Sequence, residues 1–535
     1  MPTEPHIHGI NGSVTANFAV RRSVVQGGTR WDISFRVTQT SHIDRVSLDL
    51  HDHVSRFIEN GFQSWSAVRV TTPDDVKSAR AEAPRWFRRQ MMADGDDAGR
   101  RLSGDTYLVH DHGTIGFLAA RETFGRIVVD PAGDVRAEWL FDGALVTPGI
   151  TYTLDPLWVA TGDPGATYSA YAAVSGREMS ARAPRPLPRA WCSWYHYFGD
   201  VSPADIRENA RLAVDHGVTV IQIDDGWQKA IGEWTTVNDA WSTPMAELAS
   251  DITAVGGTPG IWTAPFLAID NGSVATAHPE WLVTNDDGRP TTALVHEGWG
   301  GKVFALDTTR PDVLHHISST FATLREHGFT YFKIDFLHAA AAVGHRADRT
   351  ATRARALRQG LAAVRAGIGD DAYLVGCGCP LLSGVGIVDA MRVSMDVAPY
   401  WVPRGFFEGF EDVAVAARNA VGPSALRAPL HQRWFTLDPD CVLLRPTDTE
   451  LTPEQRVVIA ETARATSGFI VLSDRLSTYG DDEWRYVNEL LSTSRDGERD
   501  LVDPLAANLR IHWPDHETTL NWVDVWSRTT LRDAP

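Results

Sequence analysis

The sequence predicts a multi-domain protein: an N-terminal antiparallel β-sandwich, a central (β/α)8 TIM barrel and a short C-terminal β-rich segment. Three observations carry that expectation. At 535 residues the chain exceeds what one small core organises. The first 180 or so residues read as short strands broken by glycine and aspartate turns. After a proline-rich stretch, short apolar runs alternate with amphipathic helices, the pattern of parallel βαβ units.

Trp31–Val37 and Arg126–Val129 alternate or run short and β-branched, and Asp142-Gly143 reads as a turn between strands. Arg182-Ala-Pro-Arg-Pro-Leu-Pro-Arg189 reads as a linker. Eight strand candidates follow: Ala190–Tyr195, Val218–Asp224, Gly260–Pro265, Thr330–Phe336, Tyr373–Gly376, Met391–Val397, Gln432–Leu437 and Gly468–Leu472. Ser202-Pro203 places an N-cap and a first-turn proline before the helix Ile206–His216, and Thr452-Pro-Glu-Gln455 is a capping box before Val457–Ala465. No convincing helix separates the fifth and sixth strands in Leu381–Asp389. Asn508–Trp513 and Thr518–Trp522 suggest a small β cap. The expected domains are residues 1–181, 182–495 and 496–535.

A net charge of -18 argues against a nucleic-acid partner, which needs clustered Lys and Arg. No run approaches a membrane span, and no leader is visible at the N-terminus. The four cysteines (Cys192, Cys377, Cys379 and Cys441) form no disulfide framework, which points to a cytoplasmic protein. Nineteen tryptophans suit both a packed core and the flat faces of sugars.

Barrels of this kind build their sites where strands end. Several candidate strands end in acids: Asp224 and Asp225, Asp335, Asp396 and Asp438. An ionised carboxylate in a doubly buried strand is expensive without partners, so such a series points to a site. Two carboxylates on different strands are what glycoside hydrolysis requires. Lys333 precedes Asp335 by two residues and shares its strand face, which favours an ionised carboxylate; a structural Lys–Asp pair is the alternative. Asp224-Asp225-Gly226-Trp227 suits vicinal hydroxyls, a turn or a divalent metal, but Asp239 is the one nearby acid to complete a metal site. His6, His8 and His51-Asp-His53 read as surface histidines. His196 and His338 follow strand ends, and Asp438 and Asp440 read as loop anchors.

At these residues the chain resembles the α-galactosidases of glycoside hydrolase family 36, in the melibiase clan. The shared motifs run in order: Asn60-Gly-Phe-Gln-Ser-Trp65, Trp191-Cys-Ser-Trp-Tyr195, Ile223-Asp-Asp-Gly-Trp227, Gly260-Ile-Trp262, Lys333-Ile-Asp335 and Arg392-Val-Ser-Met-Asp396. The resemblance implies a retaining exo-acting α-galactosidase that needs no cofactor and acts on α-galactoside oligosaccharides. It implies Asp335 as nucleophile and Asp396 as acid/base. Asp224 and Asp225 would bind O4 and O6, and Lys333 hydroxyls on the same side. Arg392 and Cys377 would border the 2-position, while Trp65, Trp194 and Trp262 would wall the sugar. The turn Cys377-Gly-Cys-Pro-Leu-Leu-Ser-Gly384 departs from the family pattern, which leaves a 2-hydroxyl and a 2-acetamido group both open. An α-N-acetylgalactosaminidase, a galactosyl transglycosylase and a non-catalytic sugar-binding protein are the alternatives. The short C-terminal segment suggests a monomer or small homo-oligomer.

Overall fold

The computed structural model describes residues 4–75, 102–405, 411–494, 496–506, 508–513 and 517–521. Among these, fourteen mostly antiparallel strands between His6 and Thr161 hydrogen-bond into one sheet network. The network folds over on itself as a sandwich. Phe35, near one end of the strand order, packs edge-on against Phe141, near the other, with ring centres 5.8 Å apart. Ile33, Val46, Leu48, Ile127 and Trp139 fill the space between, all essentially sealed from solvent.

Two features of this region depart from expectation. Asp142-Gly143 does not join strands: it lies inside the strand Asp134–Val146, where the register against Ser41–His53 shifts between Leu140 and Ala144. Both residues take positive φ (54° and 86°), so the dipeptide forms a bulge in place of a hairpin turn. The strand-rich region also ends in a helix, Pro164–Glu178, started by an Asp163 cap and Pro164. That helix docks on the barrel. Tyr168 donates to the Leu426 carbonyl at 3.2 Å and Trp434 Nε1 to Ser175 Oγ at 2.8 Å. Gly176 packs so closely on Arg433 that a Cβ would meet its carbonyl oxygen at 2.0 Å.

The barrel contains all eight expected strands, most of them shorter than read: β1 (Arg189–Cys192), β2 (Val220–Ile223), β3 (Thr258–Thr263), β4 (Tyr331–Ile334), β5 (Tyr373–Gly376), β6 (Ala390–Arg392), β7 (Thr436–Asp438) and β8 (Ile470–Leu472). They pair in parallel from β7 back through β1 to β8. The ring closes where Val442, beyond β7, bridges Leu472 of β8. The expected helices are present as Pro203–Asp215 and Pro453–Thr466, each with a capping box, and Leu381–Gly384 forms a single turn between β5 and β6.

Side-chain alternation separates two cores. Ala190, Val220, Tyr331, Tyr373, Ala390 and Val471 pack together inside the barrel, with Tyr331 and Tyr373 stacked 5.5 Å apart. Trp191, Ile221, Phe332 and Leu374 point outward to the helix layer. Following the inner parity along each strand leads from apolar to polar: Val220-Gln222-Asp224, Tyr331-Lys333-Asp335 and Tyr373-Val375-Cys377. The pleat that fills the barrel therefore delivers the chemistry at its rim.

The small C-terminal sheet consists of Asp500–Leu501, Asn508–His512 and Glu517–Asn521; Trp522 lies outside the described residues. Among the described residues no helix is long and apolar enough to cross a membrane.

Candidate active site

A cavity of about 550 Å³ opens at the carboxyl end of the barrel. Eight of the ten residues singled out in the sequence line it. Arg392 and Cys377 do not: both are buried behind its wall.

Asp335 is the first residue beyond β4. Its backbone N–H still donates to Thr263 of β3 at 2.8 Å, so strand pairing fixes its position. Its Oδ2 accepts the indole N–H of Trp262 at 3.1 Å, and its Oδ1 accepts the Phe336 N–H at 2.7 Å. Phe336 adopts a left-handed backbone (φ 53°), a conformation that a non-glycine residue holds only when its surroundings enforce it. Lys333 Nζ stands 4.0 Å from Asp335 Oδ2 and 3.0 Å from Asp224 Oδ2. Burial opposes the ammonium charge, but Asp224 and Asp335 outweigh it and hold the lysine well above its ordinary pKa.

The Asp224-Asp225 pair is absorbed by protein donors. Asp224 Oδ2 also accepts from Gln222 at 2.6 Å and from the Cys192 thiol at 3.3 Å, while Ser193 Oγ receives its backbone N–H. Asp225 accepts from Gln228 at 2.5 Å and from Trp299 Nε1 at 2.7 Å. Burial pushes the Asp225 carboxyl above its ordinary value. Asp239 turns away and pairs with Lys229 at 2.6 Å.

Asp396 was expected at the end of a strand, but β6 stops at Arg392 and Asp396 sits on the following loop. The Val393 N–H still pairs with the Asp438 carbonyl of β7 at 3.0 Å, and the chain leaves the sheet after it. Arg392 still reaches Asp396 Oδ1 at 3.0 Å, along with Asp438 at 3.3 Å and Asp440 at 2.6 Å. Burial, then the neighbouring Asp440 charge, pushes the Asp396 carboxyl up to about 7, against the pull of Arg392.

Trp65 arrives from the sandwich. Its ring meets Phe336 edge-on at 5.0 Å and His338 at 5.8 Å. Gly378, at φ 61°, passes beneath; a Cβ there would lie 3.1 Å from Trp65 and 3.2 Å from the Phe336 backbone. Ser64 and Cys379 exchange hydrogen bonds at 3.0 and 3.1 Å across the domain junction. Buried Arg427 clamps the same junction, donating to the carbonyls of Ser64 and Val393 and to Asn60 Oδ1. Cys377 packs under Trp65 and Met395, and burial raises its thiol well above the ordinary value. His338 donates its Nδ1–H to the Gly378 carbonyl at 3.2 Å, and burial lowers it to about 4, so it is neutral. His196 packs on Tyr197 away from the cavity.

Sequence reasoning missed one wall. Between β3 and β4 the chain inserts a three-stranded sheet (Leu267–Ile269, Thr292–His296 and Gly301–Ala305). Its tip presents Trp299, stacked on His296 at 4.1 Å and edge-on to Phe336 at 5.2 Å. The signal available was Glu297-Gly-Trp-Gly-Gly301, an aromatic residue set among glycines in a connection too long for a simple βα loop. Tyr400 and Arg404, on the loop beyond Asp396, complete the rim.

The melibiase family model matches residues 177–365, from the end of the docking helix into the helix Arg353–Ile368 that follows β4. The α-galactosidase AgaA of Geobacillus stearothermophilus is 25% identical over 151 residues, 27% of this chain and 20% of that protein. The bifunctional α-galactosidase/sucrose kinase AgaSK of Mediterraneibacter gnavus is 22% identical over 152 residues, covering 15% of its length. The matched segment thus spans a fifth or less of these curated relatives. Among solved structures, the α-galactosidase TtGalA of Thermus thermophilus, in complex with p-nitrophenyl α-D-galactopyranoside, superposes with a TM-score of 0.74 at 25% identity. That likeness covers 94% of this chain and 98% of TtGalA. The family 36 enzyme AgaA shares the fold with a TM-score of 0.61 at 13% identity. The chain is similar to the family 36 α-galactosidases in motif order and in fold.

Proposed function

We propose that this protein is a retaining, exo-acting α-galactosidase that removes terminal α-galactosyl residues from oligosaccharides. The observation that carries the proposal is the unlike environment of two carboxyls facing one cavity. Asp335 accepts N–H donors on both oxygens beside a lysine, the setting of an ionised carboxylate. Asp396 is pushed up to about 7 and retains a proton near neutrality. Two carboxyls held in settings this unlike divide the work of nucleophile and acid/base.

In this reading Asp335 attacks the anomeric carbon while Asp396 protonates the departing oxygen, and Asp396 then activates the water that releases the sugar. Asp224, Asp225 and Lys333 hold its hydroxyls, and Trp65, Trp194 and Trp262 supply apolar walls. Arg392 and Cys377 act from behind the wall, through Asp396 and beneath Trp65. TtGalA has also been seen with stachyose, which supports small α-galactosides as substrates. Four buried, unpaired cysteines support a reducing, cytoplasmic setting.

Paired assays with an aryl α-galactoside and its α-N-acetylgalactosaminide twin test the proposal, with the first-formed anomer followed by NMR. Turnover of the galactoside with release of the α-anomer is expected. Turnover of neither substrate rejects the enzyme reading, and release of the β-anomer rejects double displacement. Transfer to excess acceptor sugar in place of hydrolysis makes the protein a transglycosylase.

A further inference from the structure

Behind Asp396 lies a second carboxyl for which the proposed chemistry has no role. Asp440 stands two residues beyond β7 with its side chain fully enclosed. Two hydrogen-bond donors and one cation converge on it. Tyr195 Oη and the Val397 N–H donate to Oδ2 at 2.5 and 2.7 Å, and Arg392 Nη2 faces Oδ1 at 2.6 Å. Asp396 has Arg392 Nη1 at 3.0 Å and otherwise opens on the cavity. Both hydrogen bonds use lone pairs of Oδ2, and a proton on Oδ1 would point at the Arg392 cation, so protonating Asp440 sets a hydrogen against a donor or a positive charge. When the two acids share one proton, it therefore resides on Asp396.

We propose that Asp440 is a positioning residue for the reaction: it holds Arg392 and the Val397 backbone so that Asp396 keeps its proton and presents it to the leaving oxygen. This inference rests on the glycosidase reading above. Arg392 divides its guanidinium among Asp396, Asp438 and Asp440. Without the Asp440 charge, Arg392 would be freer to stabilise the Asp396 anion, and the repulsion that disfavours that anion would vanish. Both effects have the same sign. The other groups facing Asp396 are Asp335 and Lys333 of the β4 end, Tyr195 after β1, Cys377 after β5 and Tyr400 on its own loop. Lys333, the cation among these, is engaged by Asp224 at 3.0 Å.

Asp440→Asn keeps the shape and an acceptor oxygen while removing the charge. The basic limb of kcat/KM for an aryl α-galactoside is expected to move acidward by about one pH unit. Tyr195→Phe, which keeps both charges, leaves that limb in place or moves it slightly alkaline. A folded Asp440→Asn variant with an unmoved limb overturns the assignment, as does an equal acidward shift in both variants. Infrared difference spectra of the parent and Asp396→Asn decide the matter even if Asp440→Asn fails to fold. Loss of the protonated-carboxyl band in Asp396→Asn, at pH below the limb, is expected; its persistence places the proton elsewhere and overturns the proposal. A parent that turns over no α-glycoside rejects the enzyme reading instead, and the infrared comparison still reports where the proton resides.

Discussion

The indole N–H of Trp262 donates to Asp335 Oδ2 at 3.1 Å, so a residue of β3 aims the carboxylate carried beyond β4. A hydrogen bond to a charged group contributes about 1.5–3 kcal/mol, equivalent to roughly 10–100-fold in rate where it is lost in the transition state. Trp262→Phe keeps the apolar wall and is expected to lower kcat within that range. Steady-state kinetics on an aryl α-galactoside check this, and an unchanged kcat would separate Trp262 from the proposed nucleophile.

Asp335→Gly removes the proposed attacking oxygen and opens space for a small anion. Turnover is expected to fall by several orders of magnitude and to recover in part with azide, which product analysis would detect as a galactosyl azide.

Asp396→Ala is expected to spare the first step for substrates whose leaving group departs without a proton, and to disable it for alkyl galactosides. Burst kinetics with a dinitrophenyl and a methyl α-galactoside compare the two directly.

The raised Asp396 carboxyl also affects stability. Its value rises from 3.8 to about 7 on folding, so the native state binds the proton more tightly than the unfolded chain. Stability from this group is therefore full below about 4 and declines as pH rises toward 7. Asp396→Asn has no such proton to lose. Above pH 7 it is expected to be more stable than the parent by on the order of 1–2 kcal/mol, with the gain shrinking to nothing near pH 4. Thermal melts across that range test the sign.

Arg427 is buried and satisfied by carbonyls and Asn60, with burial lowering its pKa below the ordinary arginine value. Arg427→Met strands several buried acceptors and is expected to cost on the order of 3 kcal/mol or more, raising KM as Trp65 loosens. Arg427→Lys should not rescue it, because one ammonium does not span the carbonyls and the amide together.

The barrel, and the gathering of eight of the ten singled-out residues around one cavity, were legible because both are local. The inner parity of a short apolar strand leads to its polar last residue, as from Tyr331 to Lys333 and Asp335, without knowledge of any distant contact. Asp396 was harder to place. Its even offset from Arg392 suggested a shared strand face, whereas the salt bridge forms across a loop after β6 has ended. Trp299 was not legible at all, since its approach to Asp225, 74 residues away along the chain, depends on how the inserted sheet folds back over the barrel mouth. The sandwich strands were readable as strands, but their order depends on long-range pairing that period-two patterning does not encode.

Trp65 and the clamp beneath it make each lobe depend on the other for a finished surface. A barrel excised without its sandwich would lose one wall of its pocket and leave Arg427 facing no Asn60. A sandwich recruited from elsewhere would need to supply an indole and an amide at that junction. Variation should accumulate at the outer sandwich strands, where Val24 is 81% exposed, while the stretch from Asn60 to Trp65 changes only in step with the barrel it closes.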